Sequence, residues 1–192
     1  MQLSDGQIEA VEFLKNARAK NKDKGLIIGD KVGLGKTAPA IEFAKQTPGK
    51  KLIVCPAYLI YNWRDEINFW GVPASDVCVA DSRDQVLEDK KIYLVAYSRI
   101  AIETYKTPTG GEKKRPNGIT RQLLKKKFGL VICDEAHYLK TWNSQRSRSG
   151  RRLSRVKLPG HLRIRESEEA WIFRGFFILD FPVFRVLFQN GF

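Results

Sequence analysis

Apolar residues in this chain fall into short runs that alternate with stretches of helical period. Ser4 and Gln7 stand three apart as in a capping box, and Ile8, Val11 and Leu14 follow at helical spacing. They predict a first helix of about four turns. Residues 25–29 (GLIIG) form an apolar run of buried-strand type, residues 30–37 a glycine-rich turn, and residues 37–46 a second helix. The alternation repeats with a strand over 51–55 stopped by Pro56 and an amphipathic helix over 58–70 ending at Gly71. A strand over 77–80, a helix over 83–88 and a strand over 92–96 come next. Residues 107–118, rich in Gly, Pro and Lys, predict a mobile loop. A basic helix over 119–127 and a buried strand over 130–133 then deliver Asp134 and Glu135.

Nearly all-apolar strands alternating with helices predict an α/β fold with a mostly parallel sheet and helices on both faces. In such sheets a ligand sits at the carboxyl ends of the strands. Both chemically suggestive stretches, residues 30–37 and 134–137, immediately follow a predicted strand.

Composition adds a direction. A chain of 192 residues with 43% hydrophobic and 29% charged residues has room for one sizeable core. Its formal net charge of +13 and pI near 9.8 suit a polyanionic partner, which points to nucleic acid. Cys55, Cys78 and Cys133 lie far apart without metal-ligand spacing, so they read as buried free thiols of a reducing compartment. With no apolar run at the start, the expectation is a cytoplasmic or nuclear protein. The run over 171–188 is interrupted by Arg174, Asp180, Pro182 and Arg185, so no membrane partner is expected.

Two motifs carry chemistry. In GDKVGLGKT, Asp30, Gly33, Leu34, Gly35, Lys36 and Thr37 lie between a strand and a helix start. Glycines let successive N–H groups turn toward a polyphosphate, and the helix N-terminus adds its dipole. Lys36 would reach the β- and γ-phosphates of ATP, and the Thr37 hydroxyl would ligate Mg²⁺. Asp30 stands where the generic phosphate loop has its first glycine. The second motif, Asp134-Glu135-Ala136-His137, follows Lys36 by 98 residues. Adjacent carboxylates at a strand end are costly unless a cation or a reaction needs them. Asp134 would hold Mg²⁺, mostly through water, and Glu135 would orient or deprotonate the attacking water. These roles make Lys36, Asp134 and Glu135 the candidate catalytic set.

Together these residues resemble helicase superfamily two, in its Snf-type branch of double-stranded DNA translocases and chromatin remodellers. In that branch the phosphate loop typically opens with an aspartate, which accounts for Asp30. Residues 52–70 resemble the family's second motif through Asn62, Trp63 and Glu66, and residues 131–147 its acidic box. The resemblance covers roughly residues 3–148 and implies a RecA-like P-loop NTPase lobe that uses ATP and Mg²⁺. It implies duplex DNA as partner, held by backbone contacts at Pro56 and Ala57, unless those residues are only strand end and helix start. The loop Lys113–Arg115 and the basic helix over 121–127 are further candidates for DNA phosphate, with an ordinary solvated face as the other reading. Trp63 and Trp70, seven apart, read as core. Gln7 matches the family's adenine-recognising glutamine, with the capping box as its structural alternative; Gly6 replaces the aromatic usual before it.

From about residue 149 the composition changes. Residues 145–192 hold 9 Arg and 1 Lys against 6 Arg and 18 Lys before them, and 7 of the 11 Phe. The expectation is one lobe over 1–148, incomplete at its C-terminus, and a divergent tail over 149–192. A shifted reading frame and a divergent natural terminus are the two explanations open. The motif that follows the acidic box in the family has no counterpart after His137. A second RecA-like lobe or partner chain would complete the motor, and without it the chain reads alternatively as a non-hydrolysing nucleotide- or DNA-binding fragment. A strand-separating helicase of the wider superfamily is disfavoured by Asp30 and the Trp63 helix.

Overall fold

A computed structural model of the chain describes residues 2–20, 26–28, 35–82, 85–100, 102–135 and 176–179. Its first helix, α1 (Asp5–Lys20), begins where the capping box places it: the Ser4 amide donates to Gln7 Oε1 at 3.0 Å. Val11 and Leu14 face the core as expected, but Ile8 remains 48% exposed. β1 (Leu26–Ile28) and α2 (Thr37–Gln46) follow, then β2 (Lys50–Cys55). Pro39 fits α2 because it stands in the first turn, where N–H groups have no intrahelical acceptor.

After Pro56 a single 3-10 turn (Ala57–Leu59) leads into α3 (Ile60–Phe69). The chain leaves α3 at Gly71, φ 85°, where the amides of Gly71 and Val72 bond back to Asn68 and Ile67. This is the left-handed helix stop that glycine permits. β3 (Val77–Ala80) and β4 (Ile92–Ala96) come next.

Two expectations fail in this stretch. Residues 85–88 are not helical: Leu87 is buried, its amide donates to Gln122 Oε1 at 2.8 Å, and Gln122 Nε2 returns a bond to the Gln85 carbonyl. Those side-chain bonds and one buried leucine hold an irregular segment that helical propensity alone misjudges. Residues 107–118 are not a loop either. They hold the turn and second strand of a hairpin, β5 (Ile102–Lys106) and β6 (Glu112–Pro116), paired antiparallel. Gly110, φ 81°, and the Thr107 amide bonded to the Gly111 carbonyl close the turn, so glycines read as loop punctuation make a hairpin end.

Asn117 caps α4 (Gly118–Lys125), its side chain accepting from the Thr120 amide at 2.8 Å. β7 (Phe128–Cys133) follows, and β8 (Phe176–Leu179) is the remaining described element.

The six-stranded sheet has the order β1-β8-β7-β2-β4-β3. β7, β2, β4 and β3 are parallel, whereas β8 runs antiparallel to both neighbours. Two reversals leave β1 pointing the same way as β7, so their carboxyl ends share one edge of the sheet. Side chains alternate between two buried layers, as strand geometry requires. Ile53, Cys55, Leu94, Leu130 and Ile132 pack with α1, α2 and α3, while Leu52, Val54, Val95, Val131 and Cys133 pack with α4. Burying one such aliphatic side chain contributes roughly 1.5–3 kcal/mol.

The β2–β7 pairing slips at one point. Lys50 faces Phe128 but Lys51 faces Leu130, which leaves Gly129 as the extra residue of a bulge. A Cβ at Gly129 would lie 2.3 Å from the Pro48 carbonyl oxygen, a backbone atom that cannot swing aside. Gly129→Ala is therefore expected to destabilise the fold by about 1–3 kcal/mol. A urea-unfolding midpoint equal to wild type would contradict this reading of the bulge.

Candidate functional site

The edge where β1, β7 and β2 end carries the described site residues. Gly35, with φ 65°, brings the chain into α2, and Lys36 is its N-terminal cap. Gln7 reaches this turn from α1, its Nε2 donating to the Gly35 carbonyl at 3.2 Å. A Cβ on Gly35 would lie 2.8 Å from that same nitrogen, the movable end of a side chain, so it is φ that requires the glycine. Gln7 thus closes the capping box through Oε1 and braces the Gly35 turn through Nε2. Asp30, Gly33, Leu34 and His137 lie outside the described residues.

Asp134 sits one residue beyond β7 and is 8% exposed. Its amide continues the ladder to the Val54 carbonyl at 2.8 Å, and its own carbonyl accepts from the Tyr97 hydroxyl at 2.8 Å. Its Oδ2 accepts from the Trp63 indole N–H at 2.9 Å, in a buried bond spanning 71 residues of sequence. Burial pushes the Asp134 carboxyl above the ordinary range. The Trp63 bond opposes that shift, the adjacent Glu135 charge adds to it, and the Lys36 ammonium opposes it. Lys36 and Asp134, 98 positions apart, are therefore within electrostatic reach of one another. Glu135 holds φ 50°. For a non-glycine residue that conformation costs roughly 1–2 kcal/mol, a strain typical of functional turns.

Sequence pattern alone placed Trp63 and Trp70 in the core. Trp63 is buried, but it also donates to the acidic box. Trp70 is only half-buried, its Nε1 bonded to Glu66 on the same helix at 3.2 Å. Tyr97 was missed altogether. Its signal was weak: a tyrosine one residue past an apolar strand, whose hydroxyl must find an acceptor once buried. Pro56 is buried, whereas Ala57 and Tyr58 are exposed, Tyr58 at 70%. The three cysteines are free and buried, with the Cys55 and Cys133 thiols pushed up to about 12 by burial. Reactive chemistry at this edge is thus left to carboxylates and the lysine.

The donor set suits magnesium. Mg²⁺ favours one or two carboxylates and substrate phosphates and keeps several waters. Asp134 offers one largely buried carboxylate whose Oδ1 is not the oxygen taken by the indole, within electrostatic reach of Lys36, the residue before Thr37.

The model of the SNF2-related domain matches residues 6–158 of this chain. The chain belongs to that family. Among its relatives, the RAD54-like DNA repair and recombination protein of Danio rerio is 31% identical over 153 residues, covering 72% of this chain and 20% of that protein. Switch 2 of Arabidopsis thaliana is 30% identical over 160 residues, covering 74% of this chain and 17% of that one. This SNF2-related domain thus spans a fifth or less of the length of either relative. Among solved structures, the Sulfolobus solfataricus SWI2/SNF2 ATPase core in complex with dsDNA superposes with a TM-score of 0.60 at 20% identity. That match covers 80% of this chain and 30% of the other, and the likeness is one of fold. The expected RecA-like α/β lobe and Snf-type family are therefore borne out. Among the described residues, no helix is long and apolar enough to cross a membrane.

Because burial raises the Asp134 pKa, the carboxyl favours the folded state only when protonated. That contribution is present below its unfolded value of 3.8 and is lost as pH rises through the raised value. Asp134→Asn keeps an acceptor for Trp63 without the charge. At neutral pH, without metal, it should melt a few degrees above wild type, the gap closing in acid. A variant that melts at or below wild type at neutral pH would contradict the assignment.

Proposed function

We propose that this SNF2-related domain is the ATP-binding lobe of a DNA-dependent ATPase. Joined to a second RecA-like lobe, it would couple hydrolysis to movement along duplex DNA. The observation that carries the reading is that Lys36 and Asp134 lie within electrostatic reach of one another, with Gln7 bonded to Gly35 next to Lys36. In this reading Lys36 holds the β- and γ-phosphates, while Thr37 and Asp134 hold Mg²⁺. An ion held there would supply positive charge against the phosphates. Glu135 orients the attacking water from its strained turn. Gln7 keeps a second amide N–H and a second lone pair for the edge of adenine. Asp30, Gly33, Leu34 and Gly35 are assigned to nucleotide contact by their place in the motif. A second lobe would supply the arginines that complete the ATP site, so nucleotide binding rather than turnover is the activity assigned to this lobe by itself.

The sequence candidates for DNA contact divide in space. β7 begins at Phe128 and ends beside Asp134, so Lys125, Lys126 and Lys127 lie roughly 20 Å from the site along the strand. Lys126 is further committed to the Leu87 and Glu88 carbonyls and the Asp89 carboxylate, over the Tyr93 ring. The β5–β6 hairpin, by contrast, leaves the sheet just after β4, at the carboxyl edge, and returns into Asn117, whose Nδ2 donates to the Arg99 carbonyl. Register puts Tyr105 and Lys113 opposite one another with Arg115 on the same face, its guanidinium 4.9 Å from the Tyr105 ring centre. The hairpin is the basic element on the site side, and it is assigned here to duplex phosphate contact. Relatives named for DNA repair and recombination and for chromatin regulation, together with three buried free thiols, support a nuclear or cytoplasmic, reducing setting.

Lys36→Ala should abolish ATP binding while leaving the unfolding transition near wild type; undiminished nucleotide affinity would count decisively against the assignment. For DNA, Lys113→Ala/Arg115→Ala should weaken duplex binding and lower the salt slope by about 2, one per lost contact. Lys125→Ala/Lys127→Ala should do neither. The reverse ranking in a salt-dependent binding assay would sink the hairpin assignment.

A further inference from the structure

Trp63 lies on the inward face of α3 with Ile60 and Ile67, 3% exposed, against Ile53, Cys55, Leu94 and Ile132. Any large apolar side chain could fill that volume. What an indole adds is one N–H donor and no acceptor, and a buried indole N–H must find a partner. Here the partner is Asp134 Oδ2, at 2.9 Å.

The Asp134 main chain is already fixed without Trp63. Its amide is bonded to Val54 and its carbonyl to Tyr97. What those bonds leave undetermined is rotation of the carboxylate about its side-chain torsions. A charge-assisted bond to a single oxygen, together with the bond from the Glu135 backbone N–H, restrains that freedom. With Oδ2 held by the indole, Oδ1 is the oxygen that Trp63 does not take. The donor comes from a helix anchored in the core on both sides, so the direction it imposes is rigid.

We propose that Trp63 is a positioning residue: its indole N–H pins one carboxylate oxygen of Asp134 so that the other is presented to a divalent cation. This rests on the reading of Asp134 as the metal-holding carboxylate. Outer partners of metal-holding groups typically change metal affinity 10- to 100-fold when removed.

The test uses the full chain, a fluorescent ATP analogue and a Mg²⁺ titration, scoring the Mg²⁺ concentration that gives half of the metal-dependent gain in nucleotide affinity. Trp63→Phe keeps an aromatic filling but removes the donor. It should raise that concentration about 10-fold and leave metal-free nucleotide affinity at the wild-type value. Asp134→Ala should abolish the metal-dependent gain. If Asp134→Ala retains the gain, the metal-holding reading fails and takes the proposal with it. If Asp134→Ala abolishes it and Trp63→Phe titrates like wild type, the positioning role alone is overturned. Should Trp63→Phe not fold, the wild-type protein decides. The buried indole N–H resonance of Trp63 should shift when saturating Mg²⁺ is added to the nucleotide-bound chain, and an unmoved resonance overturns the proposal.

Discussion

A buried carboxylate must be held by donors or it protonates, and Asp134 shows how much of this lobe is arranged around that requirement. Its amide extends the β2–β7 ladder, its carbonyl takes the Tyr97 hydroxyl from the end of β4, and its side chain takes the indole of α3. Three neighbouring elements therefore converge on one residue. Moving any of them would leave either a buried charge without a donor or a buried hydroxyl or indole without an acceptor, each costing about 1–3 kcal/mol. The burial that raises the carboxyl's pKa also gives it force: in a low-dielectric setting its attraction for a cation exceeds that of an exposed aspartate.

The sheet supplies the geometry that makes this convergence possible. Parallel strands place every carboxyl end on one edge, and alternation along each strand commits both faces to helices. Nothing is then left to line that edge except the residues just past each strand. Tyr97 and Asp134 occupy such positions, and Gly35 leads into the helix that follows β1. The glycine bulge at Gly129 sits near the opposite end of β7, where Pro48 crowds the strand, and sets the register by which Cys133 and Val54 come to be paired. A feature at the far end of the strand thus fixes where the acidic pair emerges.

Much of this was legible in the sequence, because the strong signals are local. The 37–46 helix, the strands over 77–80 and 92–96, and the Gly71 stop depend on apolar period and on residues with special backbone freedom. The hairpin was not legible: its strands are short, charged and rich in residues common in loops, so only the pairing of Glu103 with Arg115 and of Tyr105 with Lys113 defines it. The segment at 85–88 was misjudged for a similar reason, since Gln122 lies more than thirty residues away. At the site, residue types gave Lys36, Thr37, Asp134 and Glu135 as candidates. They could not give Trp63 or Tyr97 their partners, because those bonds span 71 and 37 residues. The β8 strand, antiparallel between β1 and β7, had no periodic signal distinguishing it from the surrounding Phe-rich run.

An experimental structure of the chain with Mg²⁺ and a non-hydrolysable ATP analogue tests the account most directly. The account predicts a magnesium ion between the Thr37 hydroxyl and Asp134 Oδ1, directly or through one water, with the Trp63 N–H still on Oδ2 and the Lys36 ammonium on the terminal phosphates. A nucleotide bound elsewhere, or an Asp134 carboxylate turned away from the metal with the indole bond broken, would contradict it.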